Sequence, residues 1–289
     1  MIRRLAQAVR QRRAGPVSLG RLVRFEGFGS SILETDRDIV VYLPPGYGDE
    51  PRRRYPVLYI QDGQNLFEPH TAYVHGKHWR LGETAGRLIS EGTVEPLVLV
   101  GVGNGREKRI DEYTPTRDER RNEGGRADLY GRFLLEELIP FVDSKFRTAG
   151  GPRATGLGGS SLGALVSLYL ALRHPGTFGK VAALSPSVWW DRNRIVRMVR
   201  ALPRRPDVTV WLDIGTEEGR LEVKRARLLR DALRAKGWRA SRLRYLEAQG
   251  AVHDEEAWGE RAGEVLTFLF PSRPILQRLL ALTKGDQTR

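Results

Sequence analysis

Compact apolar runs alternate with longer amphipathic stretches along most of this chain. DIVVYLP (38–44), PVLYIQ (56–61), PLVLVGV (96–102), KVAALS (180–185) and VTVWLDI (208–214) are short and rich in Val, Leu and Ile. Runs of that kind suit strands covered on both faces of a mainly parallel sheet. Between them, apolar residues return at helical spacing over 79–90, 128–146, 162–173, 219–236 and 255–269. RASRLRYLE (239–247) alternates, which predicts a strand nearer the edge of the sheet. The β-then-α rhythm predicts an α/β fold: a doubly wound, mostly parallel sheet with helices on both faces. LVRFEGFGS reads as part of a lead-in with antiparallel strands. No repeat, low-complexity tract or linker interrupts the 289 residues, so a single domain is expected, with a lead-in over 1–24 and an amphipathic tail over 271–289.

One junction in this pattern carries candidate chemistry. RATGLGG reads as a strand and LGALVSLYLALRHPG as the helix after it, with Ser160 and Ser161 between them. A sharp strand-to-helix turn needs small residues two positions before and after its apex, because the two backbones crowd there. Ser161 as apex is flanked by Gly159 and Gly163; Ser160 would be flanked by Gly158 and a clashing Leu162. Ser161 is therefore the candidate nucleophile of a G-x-S-x-G elbow. Phosphate and dinucleotide readings fail on the same glycines. Ala164 stands where a P-loop needs Lys, and Ser161 where a dinucleotide fingerprint needs its third Gly. No cofactor is implied.

A serine hydroxyl needs an imidazole to take its proton. His174 sits thirteen residues down the following helix, about 20 Å along its axis, and is out of reach. His70, His75 and His78 precede the serine, whereas on such a sheet the expected order is serine, acid, histidine. His253, in AQGAVHDEEAW, follows a strand and precedes a helix, which puts it at the strands' C-terminal edge, where open α/β sheets build their sites. The acid belongs after VTVWLDI. Asp213, Glu217 and Glu218 are candidates; Asp213 lies within the strand, and reach to the histidine favours Glu218.

The chain resembles the putative-esterase family of α/β-hydrolases, which includes S-formylglutathione hydrolases, feruloyl and acetylxylan esterases, enterochelin esterases and mycolyltransferases. The matching stretches are VVYLPPGY, YPVLYIQDGQNLF, GVGNGREKRIDEYTP, EELIPFVDSKFRT, GGSSLGAL, ALSPSVWW, IGTEEG and GAVHDEEAW, in order from about residue 25 to 270. The resemblance implies the α/β-hydrolase fold and puts the family's nucleophile on Ser161, its histidine on His253 and its acid, often Asp, on Glu218. It also puts one oxyanion donor on the backbone N–H of Gln64, with Gly63 next to it. The other donor is the N–H of Leu162, at the start of the helix. An acyl-enzyme route to hydrolysis of short-chain, sugar-linked or aryl-linked carboxylic esters follows. An acyltransferase or thioesterase would use the same three residues, and a non-catalytic binding protein would rely on the basic tails. No long insertion for a lid domain separates the strands.

Around this site, Asn104, Arg109, Glu112 and Tyr113 are candidates for lining a substrate pocket, or else for an internal ion pair that shapes their loop. Trp189 and Trp190 offer aromatic walls for an acyl or aryl group, with plain packing as the alternative. His75-Gly-Lys-His78 lacks a clear third ligand, so no metal is expected.

Charge changes the picture little. Of a net +13, seven charges come from residues 1–24 and three from 271–289, leaving +3 for the body. The basic excess belongs to the tails, which argues against a nucleic-acid interface. Without cysteine there is no disulfide and no thiolate chemistry. The basic start lacks an apolar h-region and no stretch is long enough to span a bilayer, so a cytoplasmic protein with no membrane partner is expected. PILQRLLALTK (274–284) packs on the body or forms a homodimer contact.

Overall fold

The computed structural model describes residues 19–272. Residues 1–18 of the expected lead-in and the amphipathic segment 274–284, with its expected packing or homodimer contact, lie outside them. β1 (Arg21–Ser30) and β2 (Thr35–Leu43) form an antiparallel hairpin. β3 (Val57–Gln61), α1 (Leu81–Ser90) and β4 (Val98–Val102) follow. Next come a one-turn α2 (Arg109–Glu112) and a two-stranded ribbon of β5 (Arg117–Asp118) and β6 (Glu123–Gly124). The amphipathic run predicted over 128–146 is α3 (Ala127–Arg132) continuing through a π-helical segment, Phe133–Leu138, into α4 (Ile139–Lys145). The wider turns end next to Pro140, which has no N–H to give to a preceding carbonyl.

The remainder alternates: β7 (Thr155–Ser160), α5 (Ser161–Arg173), β8 (Lys180–Leu184), α6 (Trp190–Ala201), β9 (Thr209–Gly215), α7 (Arg220–Ala235), β10 (Leu243–Ala248) and α8 (Glu255–Leu269). α6 has no counterpart among the predicted helices. Its buried apolar positions are few, and Asp191, Arg192 and Asn193 take left-handed φ of 41°, 55° and 60°, so regular helical turns begin only beyond them.

The main sheet has eight strands in the order β1-β2-β4-β3-β7-β8-β9-β10. Only β1–β2 and β2–β4 pair antiparallel; every other pairing is parallel. β10 is an edge strand, in line with the alternation of its sequence, and β1 forms the other edge. From β3 the chain steps one way to β4 and later returns to the other side of β3 as β7. That reversal opens a crevice at the C-terminal ends of β3 and β7, where open α/β sheets bind ligands.

Two apolar layers hold the sheet. On one face α5 packs with the α3–α4 helix, α6 and α7, contributing Tyr130, Phe133, Leu165, Ile195, Val199 and Leu229 among others. On the other, α1 and α8 cover β3, β4 and β8 through Leu81, Leu88, Trp258, Val265 and Leu269. Every residue of α5 from Leu162 to Leu172 is buried, so the helix that begins at Ser161 is fixed on all sides. Truncating one of its buried leucines to Ala costs about 2–5 kcal/mol.

Candidate active site

Ser161 sits at the apex of the β7–α5 turn with φ +55°, the left-handed region, whereas Ser160 is extended. The crowding inferred from the glycines is present. A Cβ at Gly159 would meet the carbonyl carbon of Gly163 at 2.9 Å, and one at Gly163 would meet Cβ of Gln61 at 2.9 Å. Asp62 after β3 and Ser185 after β8 also have left-handed φ, 57° and 45°. Three neighbouring strands thus end in strained non-glycine residues, each at a cost of roughly 1–2 kcal/mol.

His253 is brought to Ser161 by two loops stitched together. Glu217 N–H donates to Ala251 O (3.0 Å) and Gly250 N–H to Thr216 Oγ1 (2.9 Å). The approach is so close that a Cβ on Gly215 would meet Ala251 O at 2.2 Å. His253 Nε2 lies 3.1 Å from Ser161 Oγ, and its Nδ1 lies 2.6 Å from Glu218 Oε2. The ring packs edge-on against Trp258, with centroids 4.8 Å apart, while 45 % of its side chain stays open to solvent. One face of the imidazole is fixed and another remains accessible.

Glu218 is the acid that meets the histidine. Its Oε1 accepts from Ser185 Oγ (2.6 Å) and Gly215 N–H (2.7 Å), so both oxygens are engaged. Burial pushes its carboxyl up, but the hydrogen bonds from His253, Ser185 and Gly215 outweigh burial and hold it below its ordinary value. The other two candidates go elsewhere. Glu217 is exposed and only its backbone joins the stitching. Asp213 is fully buried and accepts from Trp211 Nε1 (2.7 Å), Ser185 N–H (3.1 Å) and Arg261 Nη2 (3.2 Å); burial pushes its carboxyl up against the pull of Arg261.

On the opposite side of Ser161, the turn Asp62-Gly63-Gln64 is held from behind. Arg109 Nε and Nη2 donate to the two oxygens of Asp62 (2.7 and 2.8 Å), and Asn104 Nδ2 adds a third bond (2.7 Å). Asp62 N–H donates to Tyr113 Oη (3.3 Å). Gln64 and Leu162 stand at the starts of the short helix Gly63–Asn65 and of α5, where backbone N–H groups have no partner within the helix. Gln64 and Asn104 also edge an open cleft of about 530 Å³ that runs past Arg106, His70 and Tyr73 toward β1 and β2. Tyr73 stands 86 % exposed beside it.

The proposed pocket lining needs correction. Glu112 is 2 % exposed and forms a sealed pair with Arg37, both bonds 3.0 Å, beneath the rings of Tyr130 and Phe133. It lines no pocket, because its carboxylate turns inward to the buried guanidinium. Tyr113 is likewise buried, behind Asp62. Trp190 is sealed in the core and donates its indole N–H to Thr116 O (2.8 Å). Only Trp189 of the pair faces a surface groove, with Arg121 4.8 Å over its ring. Arg109 directs two nitrogens at Asp62, so it bears on the site through that turn and not as a free substrate contact.

Three residues that the sequence did not mark as functional join the site. Ser185 Oγ accepts from Trp258 Nε1 (3.0 Å) and Arg261 Nη2 (3.1 Å) and donates to Glu218. Arg261 thereby ties Asp213 to the acid. Ser187 Oγ lies 3.1 Å from Ser161 Oγ, and Ser187 N–H donates to Ser161 O (3.0 Å). The stretch ALSPSVWW contains both serines, but nothing in its composition separates them from ordinary loop residues.

No helix among the described residues is long and apolar enough to cross a membrane. The family model described as "Putative esterase" matches residues 30–264. Among the relatives, the Bacillus subtilis protein called "Uncharacterized protein YbbA" is 28 % identical over 247 residues, covering 81 % of this chain and 93 % of that one. The "Endo-1,4-beta-xylanase/feruloyl esterase" of Xylanibacter ruminicola is 27 % identical across 75 % of this chain, a region that makes up 27 % of that protein. Among solved structures, siderophore hydrolase EstB from Aspergillus nidulans shares the fold with a TM-score of 0.69 and 19 % identity, over 90 % of this chain and 99 % of that one. On the strength of a match that spans most of its length, the chain belongs to the putative-esterase family of α/β-hydrolases, carboxylic ester hydrolases.

Proposed function

We propose that this protein is a serine carboxylesterase that works through Ser161, His253 and Glu218 and a covalent acyl-enzyme. The reading is carried by one observation, the unbroken relay from Ser161 Oγ through the imidazole to Glu218, with links of 3.1 and 2.6 Å. His253 Nε2 takes the proton as Ser161 Oγ attacks the ester carbonyl carbon. Glu218, kept ionised, holds the tautomer with the proton on Nδ1 and stabilises the imidazolium that forms. The carbonyl electron pair moves onto oxygen, which is received by the N–H groups of Leu162 and Gln64; one such donor is worth about 3 kcal/mol in comparable enzymes. The alcohol leaves with the proton from His253, and water then repeats the sequence on the acyl group.

The substrates we infer are short-chain or sugar- or aryl-linked carboxylic esters. Relatives bear the names feruloyl esterase and siderophore esterase, and the open cleft beside Gln64 leaves room for a bulky alcohol portion. The test is turnover of p-nitrophenyl acetate and butyrate, together with labelling by a fluorophosphonate. Wild-type protein turns over both and is labelled at Ser161, while Ser161→Ala does neither. Undiminished turnover by Ser161→Ala would end this reading.

A further inference from the structure

Ser187 meets the nucleophile in a way the relay does not use. Ser187 is 2 % exposed, and its hydroxyl hydrogen-bonds one side chain among the described residues, Ser161 Oγ at 3.1 Å. Its backbone is pinned to the same residue through the N–H that donates to Ser161 O. The loop that carries it is fixed two residues earlier by Ser185, whose hydroxyl is engaged three ways. Ser187 is therefore held in place before any substrate arrives.

The direction of its hydrogen bond follows from proton counting. Ser161 Oγ has one proton, and the relay directs it to His253 Nε2. The Ser187 hydroxyl must then be the donor and Ser161 Oγ the acceptor. What this bond does depends on the charge at Ser161 Oγ through the cycle. In the free enzyme that oxygen is an ordinary alcohol. In the acyl-enzyme it is an ester oxygen, a poor acceptor, and the bond is weak. When the second tetrahedral intermediate collapses, the C–Oγ bond breaks, its electron pair goes to Oγ, and a proton arrives there from His253. A donor already aimed at Oγ is strengthened as that charge develops, and bonds that grow in the transition state are the ones that raise kcat. Acylation gains much less, because there the bond is already made in the starting state.

We infer that Ser187 is a further catalytic residue, whose hydroxyl donates to Ser161 Oγ and assists its departure in deacylation. The inference rests on Ser161 being the nucleophile, and the test separates the two. With p-nitrophenyl acetate, whose good leaving group makes deacylation limiting, Ser187→Ala lowers kcat by about tenfold, the rate equivalent of one strengthened hydrogen bond. KM falls in parallel, kcat/KM stays within about twofold, and a burst of p-nitrophenol approaching one per site appears or grows. Labelling of Ser161 by a fluorophosphonate, which reports attack alone, keeps its wild-type rate. Ser187→Cys, close in shape with a weaker donor, falls between, and carries the same test if the alanine variant loses its fold. The inference is overturned if kcat is unchanged, or if kcat/KM and labelling fall as far as kcat, because Ser187 would then merely position the nucleophile. Failure of wild-type protein to be labelled at Ser161 would instead remove the underlying reading.

Discussion

The two flanks of Ser161 are both braced by an arginine on an aspartate, yet they are built differently. On the side proposed to receive the oxyanion, Asp62 is itself part of the turn, and Arg109 grips it at a partly open position. On the acid side, Asp213 lies inside β9 and Arg261 pairs with it in the core, with side chains 0 % and 5 % exposed. Arg261 reaches Glu218 through the hydroxyl of Ser185. The first brace sets a backbone turn directly. The second sets a hydroxyl, which sets a carboxylate, which sets an imidazole. A direct brace should act on rate with modest effect on folding, whereas a buried one is a folding element first and reaches the chemistry at second hand.

The largest effect is expected where the acid side ends. Glu218→Gln keeps the shape but gives His253 Nδ1 an amide that favours the wrong tautomer; kcat falls by about 10⁴-fold, as removal of the charge does in comparable triads. Equal activity would show that Glu218 is not the orienting group. Next comes Arg261→Met, which leaves Asp213 charged or protonated in the core without its partner. Unfolding free energy drops by about 3–5 kcal/mol, read from urea denaturation, and joint replacement with Asp213→Leu restores much of it. If the single variant were as stable as wild type while kcat collapsed, the acid-side brace would be catalytic first, and the contrast would fail.

Much of this arrangement is legible in the chain, and the part that is not has identifiable causes. Gly159 and Gly163 mark the elbow because crowding at a sharp turn is a local demand on residue size, and the Ser161–Glu218–His253 order follows from the strand order. Glu112 and Trp190 mislead because a loop's polarity does not say which way its side chains turn; one points at Arg37 and the other at Thr116 O. Ser185 and Ser187 escape notice for another reason. Their partners lie 26 to 76 residues away in sequence, and the left-handed turn at Ser185 occurs at a residue with a Cβ, where no glycine announces it. α6 is hidden by its three left-handed residues in the same way.

On the oxyanion side the expected effects are smaller. Arg109→Gln removes both bonds to Asp62 and leaves Asn104 to hold the turn. The N–H of Gln64 then loses its aim, and kcat falls by about tenfold with little change in KM, as for a loss felt in the transition state. Unfolding free energy changes by less than for Arg261→Met, because Asp62 keeps its bond from Asn104 beside a partly open position, whereas Arg261 and Asp213 are 5 % and 0 % exposed. A stability loss equal to that of Arg261→Met would erase the distinction between the two braces.

The smallest effect lies within the acid side, where Glu218 and Asp213 differ in sign. Glu218 has its carboxyl held below the ordinary value of 4.5 in the folded protein, so its contribution to stability is complete above that pH and is lost as pH falls through the folded value. The stability gap between wild type and Glu218→Gln therefore narrows below about pH 4.5. Asp213, pushed above its ordinary 3.8 by burial, takes up its proton in the folded state first. Its contribution becomes more favourable as pH falls, and wild type gains on Asp213→Asn over the same acid range. Urea denaturation of the three proteins between pH 7 and pH 3.5 measures both slopes. Parallel slopes would mean that the two carboxylates share one environment, and that burial inside β9 does not set Asp213 apart from the acid five residues beyond it.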